Sequence, residues 1–264
     1  MPSLNRRIVE KPWGRRGIDP RFGAPADMQV GEVWFEPPAG RPLDVLAKYL
    51  FTTERLSIQV HPDEMIAHAR GLPHGKDECW LILDAAPGAE IGIGTREAMT
   101  ADALLAAAAD GTIEALIDWR PAVAGQFLYN PARTVHALGA GLTLLEVQQS
   151  ADVTYRLYDY GRPRPLHLEE SRAVVDPRPH HHPADAMIDR AASRILVDGP
   201  FFGVAWCAGE PPALPPHARD VQLLPVDAPV SVGNDLVAAG ECALVGGDPA
   251  ALRSSGAFVL AWSR

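Results

Sequence analysis

Proline and glycine punctuate this chain from end to end, 25 of one and 23 of the other in 264 residues, and that spacing limits what it can become. Short apolar runs separated by turn residues build many strands rather than a helical bundle. In the first half the strand-like runs are 31–35, 56–61, 78–83, 89–93, 126–129 and 142–149. One segment breaks the pattern: 95–119 is rich in Ala and Leu, poor in β-branched residues, and reads as two short helices interrupted at Gly111. A further helix is expected over 62–70, with Pro62 in its first turn.

The fold class is therefore mainly β, in sections of unequal size. Residues 1–176 hold most strands and the polar motifs. Around 177–191 the sequence turns to Pro-Arg-Pro-His-His-His-Pro, which reads as an exposed linker and not as a histidine-rich metal site. Residues 192–264 carry strand-like runs at 201–206, 221–224, 242–245 and 257–262, a smaller β domain without a motif of its own. Three cysteines, Cys79, Cys207 and Cys242, are an odd number with no Cys-x-x-Cys pair, so no disulfide framework is expected. They read as buried small hydrophobes in a reducing compartment. A net charge of −9 without a basic block argues against nucleic-acid binding, though not against a small anion held by local cations. The first residues lead into no apolar signal core, and no run is long enough to cross a bilayer, so a cytoplasmic protein is expected.

The chemistry concentrates in three stretches. In Leu56-Ser57-Ile58-Gln59-Val60-His61, strand alternation sends Ser57, Gln59 and His61 to one face and Leu56, Ile58 and Val60 to the other. Glu78 shares a face with Trp80 and Ile82, a carboxylate entering an apolar interior. His136 follows the turn of Asn130-Pro131-Ala132-Arg133-Thr134-Val135. Each would be a buried polar group needing a partner. Together Gln59, His61, Glu78 and His136 make a mixed N/O donor set for Zn²⁺ or another divalent ion, with no thiolate to suggest a purely structural zinc.

These stretches, with Lys11-Pro12-Trp13-Gly14, Gly31-Glu32-Val33-Trp34, Gly75-Lys76-Asp77-Glu78-Cys79-Trp80 and the run from Glu146 to Asp159, resemble the type I phosphomannose isomerases of the cupin superfamily, in their short bacterial form. The resemblance covers about 11–176 and is loose beyond 192. It implies a jelly-roll barrel with a short helical insertion, one Zn²⁺ on Gln59, His61, Glu78 and His136, and interconversion of mannose 6-phosphate and fructose 6-phosphate through a cis-enediol. Arg156 matches the family's active-site arginine, to stabilise the enediolate or hold phosphate. Lys76 shares the face of Glu78 and Glu146 that of Leu144 and Gln148, and both are candidates for moving the proton. Ser57 and Lys48 are further candidates for substrate binding. One position departs from the pattern: Arg133 stands where the family has Gly, and can add a phosphate contact or crowd the sugar. The alternatives are a cupin isomerase for another sugar phosphate and a sugar-phosphate-binding cupin without catalysis. An iron-dependent oxygenase is disfavoured by Gln59 in place of a histidine.

Overall fold

The computed structural model describes residues 2–264. Its chain runs through β1 (Asn5–Arg15), β2 (Val30–Glu36), β3 (Val45–Phe51), β4 (Ile58–Val60), α1 (Glu64–Ala69), β5 (Glu78–Ala85), β6 (Glu90–Thr95), α2 (Ala101–Asp110), α3 (Ile113–Leu116), β7 (Ile117–Pro121), β8 (Gln126–Asn130), β9 (His136–Leu138), β10 (Leu142–Gln149), β11 (Tyr155–Tyr158) and α4 (Leu168–Arg172). After these come β12 (Ala186–Met187), β13 (Arg194–Asp198), β14 (Phe202–Ala208), β15 (Arg219–Pro225), β16 (Val230–Val232), β17 (Asp235–Val237), β18 (Ala243–Leu244), β19 (Arg253–Ser254) and β20 (Ala257–Ser263).

Two sheets make the jelly roll: β1-β2-β3-β10-β5-β8-β12 and β11-β4-β9-β6-β7. Between them lies an apolar layer that includes Leu50, Trp80, Ile82 and Leu144 from the larger sheet and Ile91, Ile93 and Leu138 from the smaller. The outer face of the smaller sheet, with Ile58, Val60 and Val135, packs on Leu104, Leu105 and Ala108 of α2. The outer face of the larger sheet, with Phe35, Tyr49, Cys79 and Phe127, packs on Phe202, Val204, Trp206 and Val259 of the β13-β14-β20-β15-β18 sheet. The larger sheet is thus covered on both sides, and all seven residues of β3 are buried. The remaining sheet, β17-β16-β19, has three strands.

Several expectations shift at their edges. Helix α2 begins only after Thr100, whose side chain caps Ala103 N, and Gly111 ends it in the left-handed region at φ 86°. Thr95 still belongs to β6, and residues 117–119, read as helix, belong to β7. Leu56 lies before β4 and turns into the barrel, against the alternation expected of it. The 177–191 segment is no free linker. It runs along the barrel wall, with β12 paired to β8, His180 only 6% exposed and bonded to Asp185, and the His182 ring stacked on Tyr129. The cysteines are free and buried. No helix among the described residues is long and apolar enough to cross a membrane.

Candidate active site

Strand register assembles the site. Antiparallel partners project to the same face, and the pairs Gln59 with His136, Gln59 with Arg156, Gln148 with Glu78, Glu146 with Trp80 and Glu146 with Lys48 all bring site residues side by side. They surround a cavity of about 290 Å³ whose lining includes Gln59, Glu78, His136, Lys76, Lys48, Glu146, Ser57 and Arg156.

Glu78 and His136, which line the cavity, and the neighbouring His61 are each about 1% exposed, and their ligand atoms lie within 4.8 Å of one another, a group able to hold a metal ion. His61 Nδ1–H donates to the Val153 carbonyl at 2.8 Å, and His136 Nδ1–H to that of Thr134 at 2.9 Å. These bonds fix the tautomers and leave both Nε2 lone pairs facing Glu78, at 3.5 and 3.2 Å. Burial, reinforced by the Lys76 charge, pulls the His61 imidazole down to about 3, and burial lowers His136 as well, so both are neutral, the form that ligates. Burial pushes the Glu78 carboxyl up, but the Lys76 charge outweighs it and holds it well below the ordinary range. Glu78 Oε2 accepts no aligned hydrogen bond among the described residues, although Lys76 Nζ stands 2.9 Å away. Such a buried oxygen beside two imidazole lone pairs fits a divalent ion. The Gln59 amide nitrogen lies 3.2 Å from His136 Nε2 while its oxygen accepts from Ser57; a half-turn of the amide would present the oxygen instead.

A second cluster forms the cavity wall. Lys48 Nζ is 2.8 Å from Glu146 Oε1, and Trp80 Nε1–H donates to Glu146 Oε2 at 3.0 Å. Lys76 Nζ is 4.0 Å from Glu146 and 3.2 Å from His61 Nε2. Burial raises the Glu146 carboxyl despite the Lys48 charge, with Glu78 adding to the rise. Burial pulls Lys48 down, but Glu146 and Glu32 overcome it, so its ammonium stays charged. At the mouth, Arg156 donates to the Pro165 carbonyl at 2.8 Å, and its buried Nε has no hydrogen-bond partner among the described residues. Burial, then repulsion from Arg164, lowers it.

Arg133 is not brought to the cavity and points away from the metal-ligand group. Its φ is 74°, its Nε donates to the Val174 carbonyl at 3.1 Å, and its guanidinium pairs loosely with Asp63 at 3.5 Å. Three residues that sequence reasoning missed are here. Glu32 lines the cavity between Lys11 at 3.3 Å and Lys48 at 3.9 Å, and alternation with Trp34 in Gly31-Glu32-Val33-Trp34 would have found it. Arg164 reaches the mouth because buried Asp159 holds it through two short hydrogen bonds. Asn130 Nδ2 donates to Glu78 Oε1 at 2.9 Å and stands 3.0 Å from His136 Nδ1. Nothing local in the sequence signals the last two.

A jelly roll with a buried carboxylate–imidazole group beside a polar cavity has the architecture of the cupin fold. The chain shares the fold of the phosphomannose isomerases. The mannose 6-phosphate isomerase from Bacillus subtilis has a TM-score of 0.79 at 24% identity, covering 98% of each chain. A zinc-bound mannose 6-phosphate isomerase has a TM-score of 0.69 at 16% identity, covering 99% of each. In sequence, the mannose-6-phosphate isomerase of Streptococcus mutans is 39% identical over 168 residues, 61% of this chain and 53% of its own. The mannose-6-phosphate isomerase ManA of Bacillus subtilis is 37% identical over 174 residues, 61% and 54%. The chain thus spans about half the length of these curated relatives. No family model matches it. The expected resemblance to phosphomannose isomerases is borne out by these relatives, which are named mannose-6-phosphate isomerase.

Proposed function

We propose that the chain is a Zn²⁺-dependent aldose–ketose isomerase that interconverts mannose 6-phosphate and fructose 6-phosphate, with the ion on Gln59, His61, Glu78 and His136. The observation that carries the reading is the meeting, in one cavity, of a buried donor set with a carboxylate of raised pKa flanked by two lysines. Bound Zn²⁺ would act as a Lewis acid toward the carbonyl and hydroxyl oxygens of the sugar. The isomerisation moves one proton between C1 and C2 through a cis-enediol, and so needs a base close to both carbons.

Glu146 suits the base: burial raises its pKa, Trp80 Nε1–H donates to one of its oxygens, and the Lys48 ammonium stands 2.8 Å from the other, which is left without an aligned hydrogen bond. Lys76, charged and 4.0 Å from it, is assigned to the developing negative charge on the enediol oxygens. Arg156 at the mouth is assigned to the phosphate, its guanidinium lining the cavity beside Arg164. Ser57, bonded to the Gln59 amide, is assigned to hold that ligand and to meet the substrate. Lys48 lies deep and salt-bridged, which suits tuning Glu146 better than binding phosphate. Buried free cysteines agree with a cytoplasmic setting.

The test is to strip the protein of metal and incubate it with mannose 6-phosphate, with and without Zn²⁺, following fructose 6-phosphate by a coupled assay. Product that requires Zn²⁺ is expected, and Glu146→Gln should lower kcat by about 10²-fold or more at similar KM. Zinc bound without turnover would turn the reading to a binding cupin.

A further inference from the structure

β8 carries two consecutive side chains that leave opposite faces of the barrel wall. Asn130 points inward and bonds Glu78. Tyr129 points outward, into the core shared with the β13–β20 sheet, and its hydroxyl donates to Asp77 Oδ2 at 2.6 Å. The other Asp77 oxygen accepts from Ala132 N at 2.9 Å. Asp77 is only 7% exposed, and no lysine or arginine pairs with it among the described residues. A buried carboxylate held by two neutral donors is costly for a wall that apolar residues could build.

What those two bonds join is the metal-site scaffold. Asp77 directly precedes Glu78. Ala132 belongs to the turn whose Arg133 N–H bonds the His61 carbonyl at 2.8 Å and whose Thr134 carbonyl orients His136. One carboxylate therefore spans the segments that carry three candidate ligands. Tyr129 is gripped in turn by the 180–185 segment: His182 stacks on its ring at 4.5 Å, and Asp185, bonded to His180, accepts from its backbone N–H at 3.0 Å.

Resting on the metal-site reading above, we propose that Asp77 and Tyr129 are positioning residues for the ion, setting the separation of Glu78 and His136 from the outer face of the wall under the clamp of His182 and Asp185. Neither touches the cavity. Their effect passes through the backbone of β5, β8 and the 131–134 turn.

The experiment uses the full chain and Tyr129→Phe, which keeps the ring and its stack and removes only the hydroxyl, together with Asp77→Asn. Zn²⁺ affinity of the folded protein is measured by competition with a chelator, and the visible spectrum of the Co²⁺-loaded protein reports ligand geometry. Each variant should bind Zn²⁺ roughly 10-fold more weakly with shifted Co²⁺ bands. The double variant should lose little more than either alone, because the two groups act as one unit. Phe258→Leu, in the separate core of the C-terminal sheets, is the packing control, and should lower Tm without moving either metal readout. Wild-type affinity and spectrum in both variants, whatever their Tm, would overturn the proposal. Should neither variant fold, His182→Ala at the half-buried clamp decides: weaker Zn²⁺ binding supports it, unchanged binding overturns it. Wild-type protein that takes up no Zn²⁺ overturns the metal reading itself, which keeps the two failures apart.

Discussion

Arg133 occupies a backbone conformation that costs a residue with a Cβ about 1–2 kcal/mol relative to glycine. Its side chain offsets part of this through Val174 and, weakly, through a half-exposed pair with Asp63. Arg133→Ala should keep the strain and lose the contacts, so Arg133→Gly is expected to be the more stable of the two by about 1 kcal/mol in urea unfolding. KM for mannose 6-phosphate should change in neither, since the side chain turns away from the cavity; a severalfold change would return it to the substrate. Glu32 carries a pH dependence. Burial pushes its carboxyl up, but Lys48 and Lys11 win and hold it below its ordinary value of 4.5. A depressed carboxylate contributes stability that is whole above the unfolded pKa and is lost as pH falls through the folded one. The wild-type urea midpoint should therefore fall on acidification below about pH 4.5, by at most about 1.4 kcal/mol per pH unit for this group. Glu32→Gln should fall less steeply over the same window; parallel curves would remove Glu32 as the cause.

Elements marked by an apolar run with a glutamate in it were readable in the sequence; those whose environment is set from afar were not. β10 was legible to the residue, 142–149, and β5 nearly so, because each is a short apolar run that carries Glu146 or Glu78, although their sheet buries them on both faces. β3 was missed: Val45-Leu46-Ala47-Lys48-Tyr49-Leu50-Phe51 is equally buried and has neither alternation nor a metal-ligand type of side chain to mark it. β9 and β11, of three and four residues, are too short to carry a period, and β7 inherits the helical look of the Ala- and Leu-rich stretch before it. The same reasoning sorts the site. Gln59, His61 and Glu78 announce themselves as polar residues on apolar faces. Asn130 acts only because β8 lies in register beside β5, opposite Glu78, a pairing that 52 residues of chain separate. Arg133 could be flagged as unusual from sequence, but where it points depends on the return of the chain at Val174.

At the scale of the whole molecule, we propose that residues 1–176, 177–191 and 192–264 are distinct in architecture but fold as one cooperative unit. The central strands of the larger sheet are covered on both faces: Phe35, Tyr49, Phe127 and Tyr129 meet Phe202, Val204, Trp206 and Val259 in one continuous core. Gln222, fully buried, donates across this layer to the Val45 carbonyl at 2.8 Å. Removing the C-terminal section would expose the apolar outer face of the sheet that bears Glu78 and Glu146. Urea unfolding should therefore give coincident curves for loss of tryptophan fluorescence and release of bound Zn²⁺. Phe202, 0% exposed in the shared core, offers the sharper test. Phe202→Ala should cost about 3–5 kcal/mol, and it should move both curves to lower urea together although Phe202 lies outside the metal cavity. Two separated transitions, with zinc retained after the C-terminal sheets have melted, would mean that the barrel stands alone.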